Sequence, residues 1–102
     1  MARFDVHRNT TDNPDVPYLV DIQSDLLSGL RSRVVVPLVP LERFAKPMTR
    51  LNPVFEIDGQ RLVMATTDLA GVDSRALGEV VGTLKDRHFE IVGAVDFLLS
   101  GF

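Results

Sequence analysis

The sequence predicts a mainly β chain closed by one C-terminal helix, and three observations carry that prediction. Apolar and polar residues alternate near the start, an Asp58-Gly59 pair divides two alternating runs near the middle, and a proline-free amphipathic stretch fills the end. With 102 residues, 45% of them hydrophobic and 25% charged, the chain has globular composition and the length of a single domain, residues 1–102. A chain of this size buries roughly two-thirds of the surface its unfolded form exposes, so a core can form and intrinsic disorder is not expected.

The elements follow in order. Residues 2–7 set Ala2, Phe4 and Val6 on one side and Arg3, Asp5 and His7 on the other, the period of a half-buried strand. Asn9 to Pro17 holds two prolines, two aspartates and two asparagines, a turn-rich loop. Alternation resumes from Tyr18 to Gln23, with Tyr18, Val20 and Ile22 on one face and Asp21 and Gln23 on the other. Ser24 to Ser32 is broken at Ser28-Gly29 yet carries Leu26, Leu27 and Leu30, and leucines on a loop require an explanation. Val34 to Leu38 is a third strand, expected to stop near Pro37 because proline has no N–H for a ladder.

Pro40 to Arg50 reads as irregular or weakly helical. Val54–Ile57 and Gln60–Thr66 form a hairpin, since Asp58-Gly59 supplies the positive φ angles of a type I′ turn. Asp68 to Ser74 is expected to be a loop containing Gly71, and Leu77 to Gly82 a short last strand. Thr83 then caps a helix that Gly101 ends, with Asp86 three residues after the cap. Leu84, Ile91, Val92, Val95, Leu98, Leu99 and Phe102 fall on one arc, which faces a sheet. Phe89 and Phe97 fall outside it, near Gly93, Asp96 and Ser100, giving the outer side more aromatic area than solubility requires.

Composition removes several functions. Fourteen acidic residues against eleven basic ones give a net charge of −3, which argues against non-specific binding to duplex nucleic acid. No cysteine and only two histidines, His7 and His88, exclude disulfides and any thiolate or multi-histidine zinc site, and leave only a carboxylate-based metal site open. No cofactor is called for. The longest apolar stretch, Val34 to Leu41, is far below the roughly 20 residues of a bilayer span, and the first residues lack a signal-peptide apolar run. A cytoplasmic protein with no membrane partner is the expectation.

Catalysis finds little support. His7 and Asp5 share the outward side of the first strand and could exchange protons, but no nucleophile accompanies them and a surface histidine beside a solvated carboxylate is the simpler reading. His88 reads as ordinary. Thr66-Thr67-Asp68 reads as a turn with side chains bonding local backbone, and Asp21 with Asp25 lacks a third metal ligand. No phosphate loop, nucleophile elbow or zinc motif is present.

Binding is better supported. Leu26, Leu27, Phe89, Phe97 and Phe102 are candidates for an interface, weighed against completing a small core. Residues 31–50 hold Arg31, Arg33, Arg43, Lys46 and Arg50 against one acid, Glu42. That stretch is either a solvated face or a site for an acidic segment that folds on binding, for which Arg43, Lys46 and Arg50 are the candidates. A helix with apolar residues on more than one side also suggests a two-fold homodimer, with Val72, Leu98 and Leu99 as candidate contacts.

Four runs carry a resemblance to a known family. Leu19-Val20-Asp21-Ile22-Gln23-Ser24-Asp25-Leu26-Leu27, Val34-Val35-Val36-Pro37-Leu38, Met64-Ala65-Thr66-Thr67-Asp68-Leu69-Ala70-Gly71-Val72 and Ala94-Val95-Asp96-Phe97-Leu98-Leu99-Ser100-Gly101-Phe102 resemble the CcdB toxins of bacterial toxin–antitoxin pairs, end to end. The strand "VDIQSD" followed by two aliphatics is the more specific of these signals. The resemblance implies an SH3-like barrel with a C-terminal helix, a homodimer, and a non-enzymatic poison that inserts into the DNA gyrase A subunit dimer and traps the cleaved-DNA complex. It implies a CcdA-like antitoxin whose disordered tail wraps the toxin. Position by position it assigns gyrase contact to Leu26, Leu27, Asp96, Ser100, Gly101 and Phe102. Ser100 stands where the best-known member has tryptophan, and Asp96 where it has an amide.

Two other readings compete. One is a sequence-selective endoribonuclease of the MazF or Kid type on the same barrel, with Arg31, Arg33 or Arg50 holding phosphate and His7 or Asp68 moving the proton. The other is a relic that dimerises and binds antitoxin without poisoning anything. Shared fold alone transfers no activity.

Overall fold

The computed structural model describes residues 2–101. Seven strands and one helix follow in the order β1 (Asp5–Asn9), β2 (Tyr18–Asp21), β3 (Ser32–Pro40), β4 (Val54–Ile57), β5 (Gln60–Met64), β6 (Ala70–Asp73), β7 (Leu77–Thr83) and α1 (His88–Ser100). Hydrogen-bonded neighbours run β4-β5-β3-β2-β1-β7, and β6 pairs separately with β3, all antiparallel. The sheet curls into a half-barrel, and α1 closes its concave side.

The core follows from strand alternation. Val6, Val20, Val36 and Leu38 point from β1, β2 and β3 into one cluster with Leu62 and Met64 of β5, Phe55 and Ile57 of β4, and Ile91 and Ala94 of α1. Fully burying a side chain of the Val, Leu or Phe class contributes about 1.5 to 3 kcal/mol, so these positions dominate the stability. Leu84, just before the helix, joins the same cluster, and Gly101 ends α1 at φ 75°, its N–H donating to the Phe97 carbonyl at 2.9 Å. A left-handed residue there is a role glycine fills without a Cβ clash. Thr83 does not cap α1, whose N-cap is Arg87 without a side-chain bond; its hydroxyl accepts the Lys85 N–H at 3.3 Å at a 3₁₀ turn, Lys85–Arg87, that precedes the helix.

The hairpin forms where expected, with φ of 51° at Asp58 and 76° at Gly59 and the register Ile57↔Gln60. Four expectations about the strands need correction, and on the helix Leu99, expected on the sheet-facing arc, is 73% exposed. The first strand begins at Asp5 because residues 2–4 form a turn, with Phe4 at φ 71° and the Asp5 N–H on the Ala2 carbonyl. The third strand passes through Pro37 and runs nine residues. Pro37 is tolerated because β3 changes partner there: pairing with β6 ends at Val35 and pairing with β5 starts at Leu38, so no ladder needs its missing N–H. Ala70–Asp73, expected as loop, is β6, a short strand hidden from periodicity by Gly71 and its exposed neighbours.

His7 is the fourth. It is not a surface residue but 2% exposed, with Nδ1 3.0 Å from the Gly78 carbonyl oxygen across the β1–β7 pairing. The outward face of β1 and β2 is covered as well as the inward one, so alternation placed the side chain correctly and its solvent exposure wrongly.

Candidate functional site

The loop after β2 carries the most exposed apolar residue of the described chain. Asp25–Leu27 is one 3₁₀ turn with no buried residue of its own. Ser24 Oγ accepts the Leu26 N–H at 3.2 Å, and the Leu27 N–H reaches the Ser24 carbonyl at 3.0 Å. Leu26 stands 94% exposed on this turn, and Leu27 and Leu30 are about half exposed beside it. An isolated exposed leucine is ordinary, but three on one short connection form the kind of apolar patch that partners cover.

The turn is joined to the helix by the N-terminal segment. The Arg3 backbone N–H donates to Asp25 Oδ1 at 2.9 Å, and its Nε donates to the Ile22 carbonyl at 3.0 Å. Arg3 and Ile22 then form one wall of a shallow groove whose other wall is Ile91, Val92, Val95 and Asp96 of α1. Asp96 therefore lines the groove whose other wall, Arg3, is hydrogen-bonded to Asp25 of the leucine turn. Ser100 and Gly101 are exposed at the end of α1, and Phe102 lies outside the described residues.

Over residues 3–101 the sequence matches the family described as CcdB protein. The chain belongs to the CcdB family. That match spans every strand, the helix and all the candidate residues above except Phe102. CcdB membership implies a toxin of a toxin–antitoxin pair that acts on gyrase.

The basic segment of this CcdB chain is not one patch. Arg33 is 1% exposed and bound to buried Asp21, its Nε donating to Oδ2 at 2.8 Å, while Arg31 lies 3.7 Å from Asp73. Arg43 pairs with Asp15, Lys46 is exposed, and the Arg50 guanidinium lies 4.6 Å over the Phe97 ring. Arg43, Lys46 and Arg50 thus share the long connection from β3 to β4, where Asn52 is buried and holds the chain, accepting the Met48 N–H at 3.0 Å and donating to the Met64 carbonyl at 3.1 Å. Val72 is half-buried on β6, Leu98 half-buried and Leu99 exposed on α1.

The acid–base candidates are separated. His7 is buried, and its Nε2 has no partner among the described residues. The His88 Nδ1 faces the Lys85 carbonyl at 2.8 Å. Thr66 is buried and donates its hydroxyl to the Leu51 carbonyl on the connection before β4, a long-range bond rather than the local one expected of a turn threonine. Asp21 is used by Arg33. Among the described residues no group of three His, Asp or Glu side chains could hold a metal ion. Two carboxyls titrate low for ordinary reasons: Arg75 hydrogen bonds hold Asp73 below its usual range, and Arg87 does the same for Glu90. No helix among the described residues is long and apolar enough to cross a membrane.

Sequence reasoning missed Arg3, Gln23 and Asn52. Arg3 and Gln23 sat on strands whose polar sides were expected to meet water, and Asn52 carried no periodic signal at all.

Proposed function

We propose that this chain is a toxin that binds the DNA gyrase A subunit, traps the cleaved-DNA complex and is neutralised by a CcdA-like antitoxin. The observation that carries the reading is Leu26, 94% exposed on an ordered turn tied through Asp25 to Arg3, which lines a groove together with Asp96, in a chain of the CcdB family. Leu26 and Leu27 supply apolar anchors, and Asp96, Ser100, Gly101 and Phe102 supply the helix side of the contact. Burying a leucine of this kind is worth about 1.5 to 3 kcal/mol, enough to make two of them dominate an interface.

The homodimer belongs to the same proposal, with Val72, Leu98 and Leu99 as contacts; it places two copies of the tip about one axis. Arg43, Lys46 and Arg50 are proposed to receive an acidic segment of the antitoxin. The chemistry of the partners is protein surface throughout, with no enzyme step and no cofactor. A ribonuclease on this chain would have to work without His7, which RNA cannot reach, and without Arg33, which is bound to Asp21.

The test is purified gyrase with supercoiled plasmid and the full chain, scored for linear DNA after denaturation of the protein. Accumulation of the linear product is expected. Degradation of a mixed RNA substrate without it would replace this reading with the ribonuclease one.

A further inference from the structure

We infer that Gln23 is the positioning residue that sets the exposed Leu26–Leu27 pair, acting from the end of a buried polar relay that starts at Arg33. The inference rests on the gyrase reading for its purpose, but its geometry stands independently. The Gln23 side chain is buried and joins two strands' worth of backbone: Nε2 donates to the Leu27 carbonyl at 3.1 Å, and Oε1 accepts the Val34 N–H at 3.0 Å. One end holds the turn and the other holds β3. Only a side chain with a donor and an acceptor on one planar group can do both.

Gln23 is itself fixed. Its backbone N–H donates to Asp21 Oδ1 at 3.0 Å, and the other oxygen of that carboxylate is taken by Arg33. Asp21 and Arg33 are almost wholly buried. A buried ion pair contributes little net stability relative to apolar residues of the same volume, so its worth here is geometric. It lies at the end of the β2–β3 ladder, which runs from Tyr18↔Leu38 to Asp21↔Val35. What the relay adds is a fixed position for the residue that grips the turn.

The turn needs that grip. It buries none of its own side chains, and its internal hydrogen bonds are local, such as Ser28 N–H to Asp25 and Leu30 N–H to Leu27. Its other tether, Arg3 to Asp25, is exposed, where water competes for both partners. The Gln23 bonds are partly buried, and losing them leaves the Val34 N–H without that acceptor and the Leu27 carbonyl with the Leu30 N–H alone.

Gln23→Met keeps the length and removes both bonds. Hydrogen exchange at the Leu27, Ser28 and Leu30 amides should accelerate at least about tenfold while Val20 and Val36 stay protected, and affinity for the gyrase A subunit should fall about tenfold. In Gln23→Glu only the protonated side chain can donate to Leu27, and burial at this site raises a carboxyl above its ordinary value of about 4.3, so gyrase affinity relative to wild type should recover as pH falls from 8 to 5. Wild type carries the same Asp21, Asp25 and Arg33 and is the control across that range. If Gln23→Met does not fold, the pH response of Gln23→Glu decides. Unchanged exchange in the turn overturns the inference, as does faster exchange with full affinity kept. If wild type itself does not bind gyrase, the gyrase reading fails, and the exchange result alone decides whether Gln23 sets the pair.

Discussion

Two connections leave the sheet and display opposite chemistry, the short one after β2 and the long one after β3. The first presents Leu26, Leu27 and Leu30; the second presents Arg43, Lys46 and Arg50. Each is held by one buried carboxamide that bridges loop backbone to a strand or its end: Gln23 between Leu27 and Val34, Asn52 between Met48 and Met64. The difference lies in what supports the clamp. Gln23 is backed by a buried ion pair, whereas Asn52 is backed by backbone, its own N–H donating to the Met48 carbonyl at 2.7 Å, and by the neighbouring Thr66–Leu51 bond. A surface that must present apolar side chains at fixed positions needs a stiff mount; a cationic surface works at longer range and tolerates a looser one.

The strongest way to break this comparison is to change the displayed residues and leave the clamp. Leu26→Glu with Leu27→Glu should reduce gyrase affinity a hundredfold or more, about 3 kcal/mol, as removal of apolar anchors does. Because the turn buries neither residue, thermal stability should stay within about 0.5 kcal/mol of wild type. Calorimetry against the gyrase A subunit and a melting curve check both. A stability loss as large as the affinity loss would mean that the leucines are structural.

Removing the second clamp should act the other way. Asn52→Leu leaves the Met48 N–H unpaired and the Met64 carbonyl with only the long Thr66 hydroxyl contact at 3.4 Å, and a buried unsatisfied group costs about 1–3 kcal/mol. Urea unfolding should therefore show a loss of about 2 kcal/mol. Binding of an acidic antitoxin segment should weaken, and gyrase binding should be retained in the folded fraction. Equal losses in both would show that the two connections are not independent.

These two clamps mark the limit of what the sequence makes legible. The strands other than β6, and the helix, are readable because apolar periodicity and the Asp58-Gly59 turn are local signals. The exposure of Leu26 and Leu27 is readable because leucines on a loop conflict with their surroundings. Gln23 and Asn52 are not, because nothing local distinguishes a buried amide from a solvated one; burial is set by segments brought over them from β3 and β5. His7 fails for the same reason, and Arg33, which counted toward a basic patch, is neutralised by Asp21 from the adjacent strand.

The cationic connection is tested by reversing its charge. Arg43→Glu, Lys46→Glu and Arg50→Glu together should weaken an acidic antitoxin peptide about tenfold at low salt, with a smaller difference at high salt because exposed charges are screened. Gyrase affinity should change less than twofold. Titration at two ionic strengths reads both effects, and an unchanged dissociation constant would move the antitoxin site off this connection.

The smallest effect concerns Glu90, which lines the groove beside Thr49, Arg50, Pro53, Phe89 and Gly93 and is the one acid on that surface. Arg87 hydrogen bonds hold its carboxyl below the ordinary value of 4.5. A depressed carboxyl contributes stability that is present above the unfolded value and lost as pH falls through the folded one, so the pair helps at neutral pH and not in acid. Both side chains are more than a third exposed, which limits the contribution to about 0.5 kcal/mol. Glu90→Gln should therefore lower stability slightly at pH 7 and match wild type once the pH is well below 4.5. The same change removes a negative charge next to Arg50, so an acidic antitoxin peptide should bind about two- to threefold more tightly at low salt and no differently at high salt. A variant that loses stability without gaining peptide affinity would show that Arg50 meets no acidic partner, and that the long connection is a solvated face.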